Sequence, residues 1–504
     1  MKTEKKHSSI FRLPVCLLAL LILFAATACG NADSQTEDTT LPEAVTTEEA
    51  TTVEETLYAA PPVKDLGKYK FRIFCSDNEL WVPMHFSEAK AETGEIINDA
   101  LYLREMTIED KYNCTLTFTI NDAASTLIST NVLSGSDICD GMFLPADEIM
   151  PMAINGVVLD FSGLEGLSLD QPWWDQRIQE EYRIGTHLFT VDGEINIRDD
   201  LRTMVIVYNK VVYDNYGYNG TYGTPYTMVS EGKWNLDMLL TMINGMTEDP
   251  RNDAGRWGML SENAGPYTFF LGTGLKTVSN DNGQVAVHLQ DETVANALAK
   301  VLALADNPDV MICNNGTHFI GGSVWSDVSN VFKEGRALFR STTLSAVNRL
   351  IDMVDDYGIL PIPNAGDSNV YHCYCAGSEN SPLAMPSNLE DRDKAAAVAE
   401  ALAYYSLVSD TENIASLHEA FYVLMGDARL ARNYEDTAML DIIFSSKTFD
   451  IDEVSEITGF ESAFYNLAKN AQLTSLSSTI KSYSKKAEKT VGSYYATIEE
   501  KYGN

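Results

Sequence analysis

Regular alternation of apolar and polar positions begins at Tyr69, after a long stretch without it. Tyr69-Lys70-Phe71-Arg72-Ile73-Phe74 has the period of two expected of a half-buried strand. A polar loop, Ser76-Asp77-Asn78-Glu79, follows, with Trp81 and His85 just beyond. Glu95 to Tyr112 reads as a helix: Ile97, Leu101 and Ile108 share a face, Glu95 stands early and Lys111 late, as the helix dipole prefers. Arg104 interrupts that face. Cys114, Leu116, Phe118 and Ile120 then alternate with threonine as a second strand. Ala123 to Leu133 predicts a helix, and Ile138 to Leu144 a short strand ending at Pro145. The order strand–helix–strand–helix–strand argues for a parallel α/β sheet.

The pattern recurs with interruptions. Thr203 to Tyr208 is a continuous apolar run of the kind a buried strand carries. Leu236 to Met246 and Asp291 to Ala305 read as helices, and Arg336–Arg340 and Tyr357–Ile362 as strands around an intervening helix. From Asp391 onward helix dominates, with Ala395, Val398, Ala399, Leu402 and Tyr405 on one face. Residues 429–444 and 460–499 continue in that style, and no short-period repeat is visible.

The residues ahead of this pattern bear on compartment. Lys2, Lys5, Lys6 and Arg12 flank an apolar stretch, Leu13 to Ala26, of 14 residues. A comfortable membrane span needs about 20, so the segment reads as an export signal. Ala26-Thr27-Ala28 fits an ordinary secretory cleavage site, and with Cys29 following it also resembles a bacterial lipobox. That resemblance implies a signal over residues 1–28, lipidation of Cys29, and a stable multi-chain anchor. Gly30 to Val63 holds eight acids, eight threonines and no base, which predicts a solvated, extended tether over residues 29–64.

Composition narrows the functional classes. The 504 residues contain 36 Lys+Arg against 72 Asp+Glu, a net charge of −36, so nucleic acid is excluded as an expected partner. At 45% hydrophobic and 21% charged the chain is neither disordered overall nor a multi-span membrane protein. Eight cysteines are too few for a disulfide scaffold.

Several segments together resemble the family 1 extracellular solute-binding lipoproteins of ABC importers, relatives of maltose-binding protein. They are Ile97-Asn98-Asp99-Ala100 with Glu109-Asp110-Lys111-Tyr112-Asn113, Pro172-Trp173-Trp174, and Val207-Tyr208-Asn209-Lys210. Gly232-Lys233-Trp234, Phe332-Lys333-Glu334-Gly335-Arg336-Ala337-Leu338-Phe339, and Tyr357-Gly358-Ile359-Leu360-Pro361-Ile362-Pro363 complete the set. The resemblance implies an α/β, two-lobed periplasmic-binding-protein-like fold of type II, each lobe a mainly parallel sheet flanked by helices, with a helical C-terminal region. Carried onto this chain, lobe one takes residues 65–202 and 331–375, and lobe two takes 203–330 and 376–504. The strands crossing between lobes are expected near Arg202–Met204, Asn330 and Ala376, with hinge closure as the motion.

It further implies a monomer that binds a carbohydrate and delivers it to ABC transporter permease subunits. It would use no cofactor or metal, and would touch the membrane only through its lipid anchor on the extracellular face. A sugar cleft needs flat apolar faces and polar groups for hydroxyls. By resemblance the ligand meets Asn78, Glu79 and Trp81 after the first strand, Asp147 after the third, Trp257 and Tyr267 in lobe two, and Arg340 and Thr342 at a strand end. Trp173-Trp174 read instead as anchors of a helix start, and Trp234 as core.

No G-x-S-x-G, H-E-x-x-H or Walker A motif occurs. Asp192-Gly193-Glu194 and Asp199-Asp200 offer carboxylates that a glycosidase could converge in space, but read as solvated turns. Cys373-Tyr374-Cys375 reads as a packed strand or an incidental disulfide, and Cys114 as a buried thiol. Asp249 to Gly255 sits where relatives often carry a calcium loop, but Arg251 and Ala254 break that pattern. The competing expectations are a peptide or other polar solute in the same cleft, a surface glycan-active enzyme, and an adhesin.

Overall fold

The pleat sorts the first alternating segment as its sequence requires: Phe71, Ile73 and Cys75 are buried while Lys70 faces water. The computed structural model describes residues 58–76, 85–87, 89–248, 255–262, 265–313, 324–409, 415–423 and 431–503, which pack as one compact unit. The expected signal, lipidation site and tether up to residue 57 lie outside the described residues, as does nearly all of the Asp249–Gly255 loop.

The chain gives β1 (Tyr69–Cys75), β2 (Cys114–Ile120) and β3 (Gly141–Phe143) to a first sheet, then β4 (Met204–Asn209) and β5 (Trp257–Glu262) to a second. A hairpin, β6 (Val278–Asp281) and β7 (Gln284–Val287), stands apart. β8 (Val310–Cys313), β9 (Ala337–Thr343) and β10 (Tyr357–Leu360) complete the second sheet. β11 (Cys373–Tyr374) pairs with β13 (Lys447–Thr448), and between them β12 (Leu383–Ala384) returns to the first sheet.

The first sheet has the order β12-β3-β1-β2, with β1 parallel to both β2 and β3 and β12 antiparallel to β3. The second has the order β10-β4-β9-β5-β8, with β5 parallel to β8 and β9 but β4 antiparallel to β9 and β10. The protein is therefore α/β with mixed sheets. β4 thus runs against every other strand of its sheet.

Pairing redraws the expected boundaries. Residues 331–375, expected with the first sheet, supply β9 and β10 to the second. Residues 376–504 are divided: β12 and the helix Arg392–Leu407 belong with the first sheet, where Ala395, Val398 and Leu402 join Phe71 and Trp173 in one core. Leu417, Met439 and Phe464, from three later helices, join the core of the second sheet, and Tyr494 and Ile498 a third cluster with Ile149. Apolar helix faces are alike in kind, so periodicity marks the buried side of a helix without marking which sheet receives it.

Three segments run side by side where the chain passes between cores. Thr203 bridges Cys375 in antiparallel fashion, the Cys375 N–H donates to the Thr448 carbonyl at 3.0 Å, and Cys373 pairs with Lys447. Two of the expected crossings, near Arg202–Met204 and Ala376, thus lie together. Asn330 instead sits in the helix Val324–Lys333, between two strands of the same sheet. Among the described residues no helix is long and apolar enough to cross a membrane.

The interruption at Arg104 has a structural use. Its guanidinium, 3% exposed, donates to the Ile195 carbonyl and the Ser406 hydroxyl, both at 2.8 Å, and to the His85 carbonyl. It ties the helix Ile96–Tyr112 to three other segments, and burial lowers its pKa to about 10. Replacing Arg104 with Leu strands these acceptors. Urea unfolding should show a loss of about 3 kcal/mol.

Candidate functional site

The site grows from Trp173-Trp174-Asp175. Both tryptophans are buried, and each indole N–H donates to Glu400, at 3.2 and 3.0 Å. Asp175 accepts the Arg177 N–H at 2.8 Å, capping the helix Gln176–Tyr182, and holds the Arg177 guanidinium at 2.9 and 2.6 Å. Trp173 and Trp174 thus stand just before a helix start as expected, and Trp174 also lines the cleft described below.

Gly193 lies flat on this turn. It bridges Trp174 with φ +145°, and a Cβ there would stand 2.4 Å from the Trp173 carbonyl oxygen, so only glycine fits. The close approach buries the neighbouring acids. Asp192 and Asp199 are 0% and 1% exposed, which overturns their reading as solvated turns. Burial, then the charge of Asp199, raises the pKa of Asp192 well above the carboxylate range; one of its oxygens accepts from Gly193 N–H and Asn196 at 3.0 and 2.8 Å.

Lys447 on β13 is the counterweight. Its ammonium bonds Asp199 and, at 2.7 Å, Asp200, with Asp175 3.9 Å away. Burial opposes the charge, but these three carboxylates together hold the lysine well above its ordinary pKa. Burial also opposes the Asp175 carboxylate, yet Arg177 and Lys447 keep its pKa below the usual value.

Above these groups opens a cleft of about 410 Å³, within the range of small-molecule sites. One wall carries Trp174, Asp175, Arg177, Glu194 and Asp200; the other carries His418, Tyr422, Phe444 and Lys447. Across it the His418 Nδ1–H donates to Glu194 at 2.8 Å, and Arg177 donates to the Phe444 carbonyl at 2.8 Å. Burial works against the His418 cation, but the bond and charge of Glu194, with Asp200 and Glu419, raise its pKa. The imidazole stacks obliquely on Tyr422 at 4.7 Å, and Tyr422 meets Phe444 edge-on at 5.9 Å. Burial pushes the Tyr422 hydroxyl up to about 12, so it stays a donor at neutral pH. With Asp170, the lining holds four carboxylates against two fixed cations. The cleft thus offers aromatic edges, charged acceptors and donors together.

A second polar network underlies Asp147. Glu453 accepts from the Gly377 N–H at 2.6 Å, the Ser378 N–H at 3.2 Å and the Tyr374 hydroxyl at 2.5 Å, and burial pushes its pKa up to about 7. Asp147 stands in the first turn of the helix Ala146–Ile154, one carboxyl oxygen buried without a hydrogen-bond partner, and burial followed by Glu148 raises it to about 6. The same 377–379 segment is held by Arg198, which donates to the Glu379 carbonyl at 2.7 Å, and by Arg202, 2.9 Å from the Glu379 carboxylate.

The other expected ligand residues are dispersed. Asn78, Glu79, Trp81 and Cys29 lie outside the described residues. Trp257 is 4% exposed at the start of β5, with the Arg336 guanidinium over its ring. Tyr267 is fully buried and donates to Asp450 at 2.7 Å. Arg340 and Thr342 are fully buried on β9, where Arg340 donates to Ser329 at 3.0 Å. Trp257 pairs with Ala337 at the opposite end of β9 from Thr342, so the register holds them apart. Asp147, Trp257, Tyr267, Arg340 and Thr342 do not line the cleft. Trp174, Glu194 and Asp200, which do line it, read in the sequence as a helix anchor and acidic turns, and His418, Tyr422 and Lys447 carry no local signal.

Trp234 is core, and Cys114, Cys373 and Cys375 are buried thiols without a disulfide, which leaves the packed-strand reading of the last two. Among the described residues no group of three or more His, Cys, Asp or Glu is placed to hold a metal ion.

Lys447→Met should lower unfolding free energy by about 4 kcal/mol at neutral pH, because Asp199 is left buried and unpaired. Part of that loss should return as pH falls and Asp199 takes up a proton. In the unaltered protein, Asp147 and Glu453 bind protons above the unfolded carboxyl range of about 4, so their contribution is full below that pH and lost as pH rises through about 6 and 7. The melting temperature should therefore climb as pH is lowered from about 7.5 to about 5.5, and Glu453→Gln should flatten that slope. Protein-family models were searched and none matches the chain, and no curated protein matches its sequence.

Proposed function

We propose that this chain is a lipid-anchored extracellular solute-binding protein that captures a carbohydrate between two lobes and delivers it to an ABC transporter permease. No bond is made or broken. The observation that carries the reading is the cleft beside the three crossing segments, whose walls come from separate parts of the chain and meet through His418–Glu194 and Lys447–Asp200. A contact such as His418–Glu194 can open and close as lobes move, while Lys447 and its carboxylates stay joined at the crossing strands. Tyr422, Phe444 and the edge of Trp174 offer apolar faces to sugar C–H surfaces, while Glu194, Asp200, Arg177 and His418 suit hydroxyls. The acidic excess of the lining favours a neutral or cationic solute over an anion.

Glu194 and Asp200 also face one cleft, which is the feature a glycan-active enzyme would share. Isothermal calorimetry of the purified chain against a glycan panel, run beside a product assay, separates the two. The expected result is stoichiometric binding without product, weakened on the order of tenfold to a hundredfold by Tyr422→Ala or Glu194→Gln. Product release, or no binding to any glycan with binding to a peptide instead, overturns the reading.

A further inference from the structure

The helix Leu476–Tyr502 is the longest described and has two unlike sides. Leu476, Ile480, Ala487, Tyr494 and Ile498 are buried against the protein body. The outward side carries Lys481, Lys485 and Lys489, all exposed, and a four-residue spacing keeps them within about 80° of arc. Between residues 476 and 489 there are four lysines and one acid, Glu488, in a chain whose net charge is −36.

Pairing makes the contrast sharper. Lys233, Lys300, Lys333 and Lys394, elsewhere on the surface, each hold a carboxylate. Among the described residues Lys481, Lys485 and Lys489 form no ion pair; neither do the exposed Lys64, Lys68 and Lys70, but those lie along a loop and a strand start instead of on one helix face. The fourth lysine, Lys486, turns aside over the Tyr483 ring at 5.8 Å. Ser478, Gly492 and Ala496, which extend the same exposed face, are small and uncharged; the exposed acids nearest the stripe are Glu488 on its flank and Glu499 and Glu500 in the last turn.

We infer that this face docks on an anionic membrane surface, its lysines meeting lipid phosphates. Charge complementarity selects the occupant: three unpaired ammonium groups on one straight ridge match a plane of negative headgroups. Each basic residue at such a surface strengthens binding by about fivefold, and the attraction fades within a Debye length. The rest of the chain is repelled by the same surface, so the stripe orients the body as well as holding it. Membrane proximity in the cell rests on the lipid-anchor reading, but contact with vesicles does not depend on solute capture; failure of glycan binding leaves this inference standing, and the reverse also holds.

The test is co-sedimentation of the full chain with vesicles of phosphatidylglycerol and phosphatidylcholine, and with phosphatidylcholine alone, at low and high salt. Subtracting the neutral vesicles removes the apolar contribution of the N-terminal segment, and its cationic part, Lys2, Lys5, Lys6 and Arg12, is the same in both triple variants. The anionic excess should appear at low salt and vanish at about 0.5 M. Lys481→Glu, Lys485→Glu and Lys489→Glu together should reduce it about a hundredfold. Lys64→Glu, Lys68→Glu and Lys70→Glu, exposed residues at the other end of the chain with the same change in net charge, should leave most of it. Circular dichroism of both triple variants checks that they fold. Equal losses in the two variants, or wild-type binding that ignores lipid charge or salt, overturn the inference.

Discussion

The ammonium of Lys447, with 7% of its side-chain surface left to water, sits among Asp175, Asp199 and Asp200 where three chain segments run side by side. Each partner has a second duty. Asp175 caps a helix and clamps Arg177, Asp199 and Asp200 open the short turn that leads into β4, and Lys447 fixes the pairing of β13 with β11. A buried cation of this kind is stabilising only while its partners stay in place. The cleft floor, the crossing segments and the register between them are therefore held as one unit.

Glu400 plays the matching part from the side of the first sheet. It is buried on the helix Arg392–Leu407 and binds both indole N–H groups and the Ser168 N–H. A single carboxylate thus sets the plane of Trp173 and Trp174, and Gly193 closes on them because no side chain intervenes. The rim of the cleft is built by residues more than two hundred positions apart, drawn together by charges that leave few alternatives.

What could be read along the chain was local. The alternation at Tyr69–Cys75, the threonine-spaced strand Cys114–Ile120 and the apolar run at Met204–Asn209 all report which side of a backbone is buried, and each became the expected strand. Nothing in those patterns reports the direction of a neighbour, so the antiparallel setting of β4 and the transfer of β9 and β10 to its sheet came from long-range pairing. Candidate site residues suffered most. Aromatics such as Trp257 and Tyr267 are as useful to a core as to a sugar, and here the core has them. Conversely, Asp192-Gly193-Glu194 looks like a surface turn until the Trp173 backbone is laid across its glycine.

The sulfur chemistry of the molecule follows from its burial. Cys75, Cys114, Cys139, Cys373 and Cys375 are free thiols inside the protein, and burial pushes Cys114 and Cys373 up to about 11 and Cys139 up to about 12. Cys114, Cys139, Cys373 and Cys375 are held almost wholly as thiols at neutral pH, and reaction proceeds through the thiolate. Oxidants and alkylating reagents reach these five described thiols only when the fold opens. The rate at which these five sulfurs are modified is thus a clock for opening: Cys373 and Cys375 time the separation of the crossing segments, and Cys75 and Cys114 time the fraying of the first sheet.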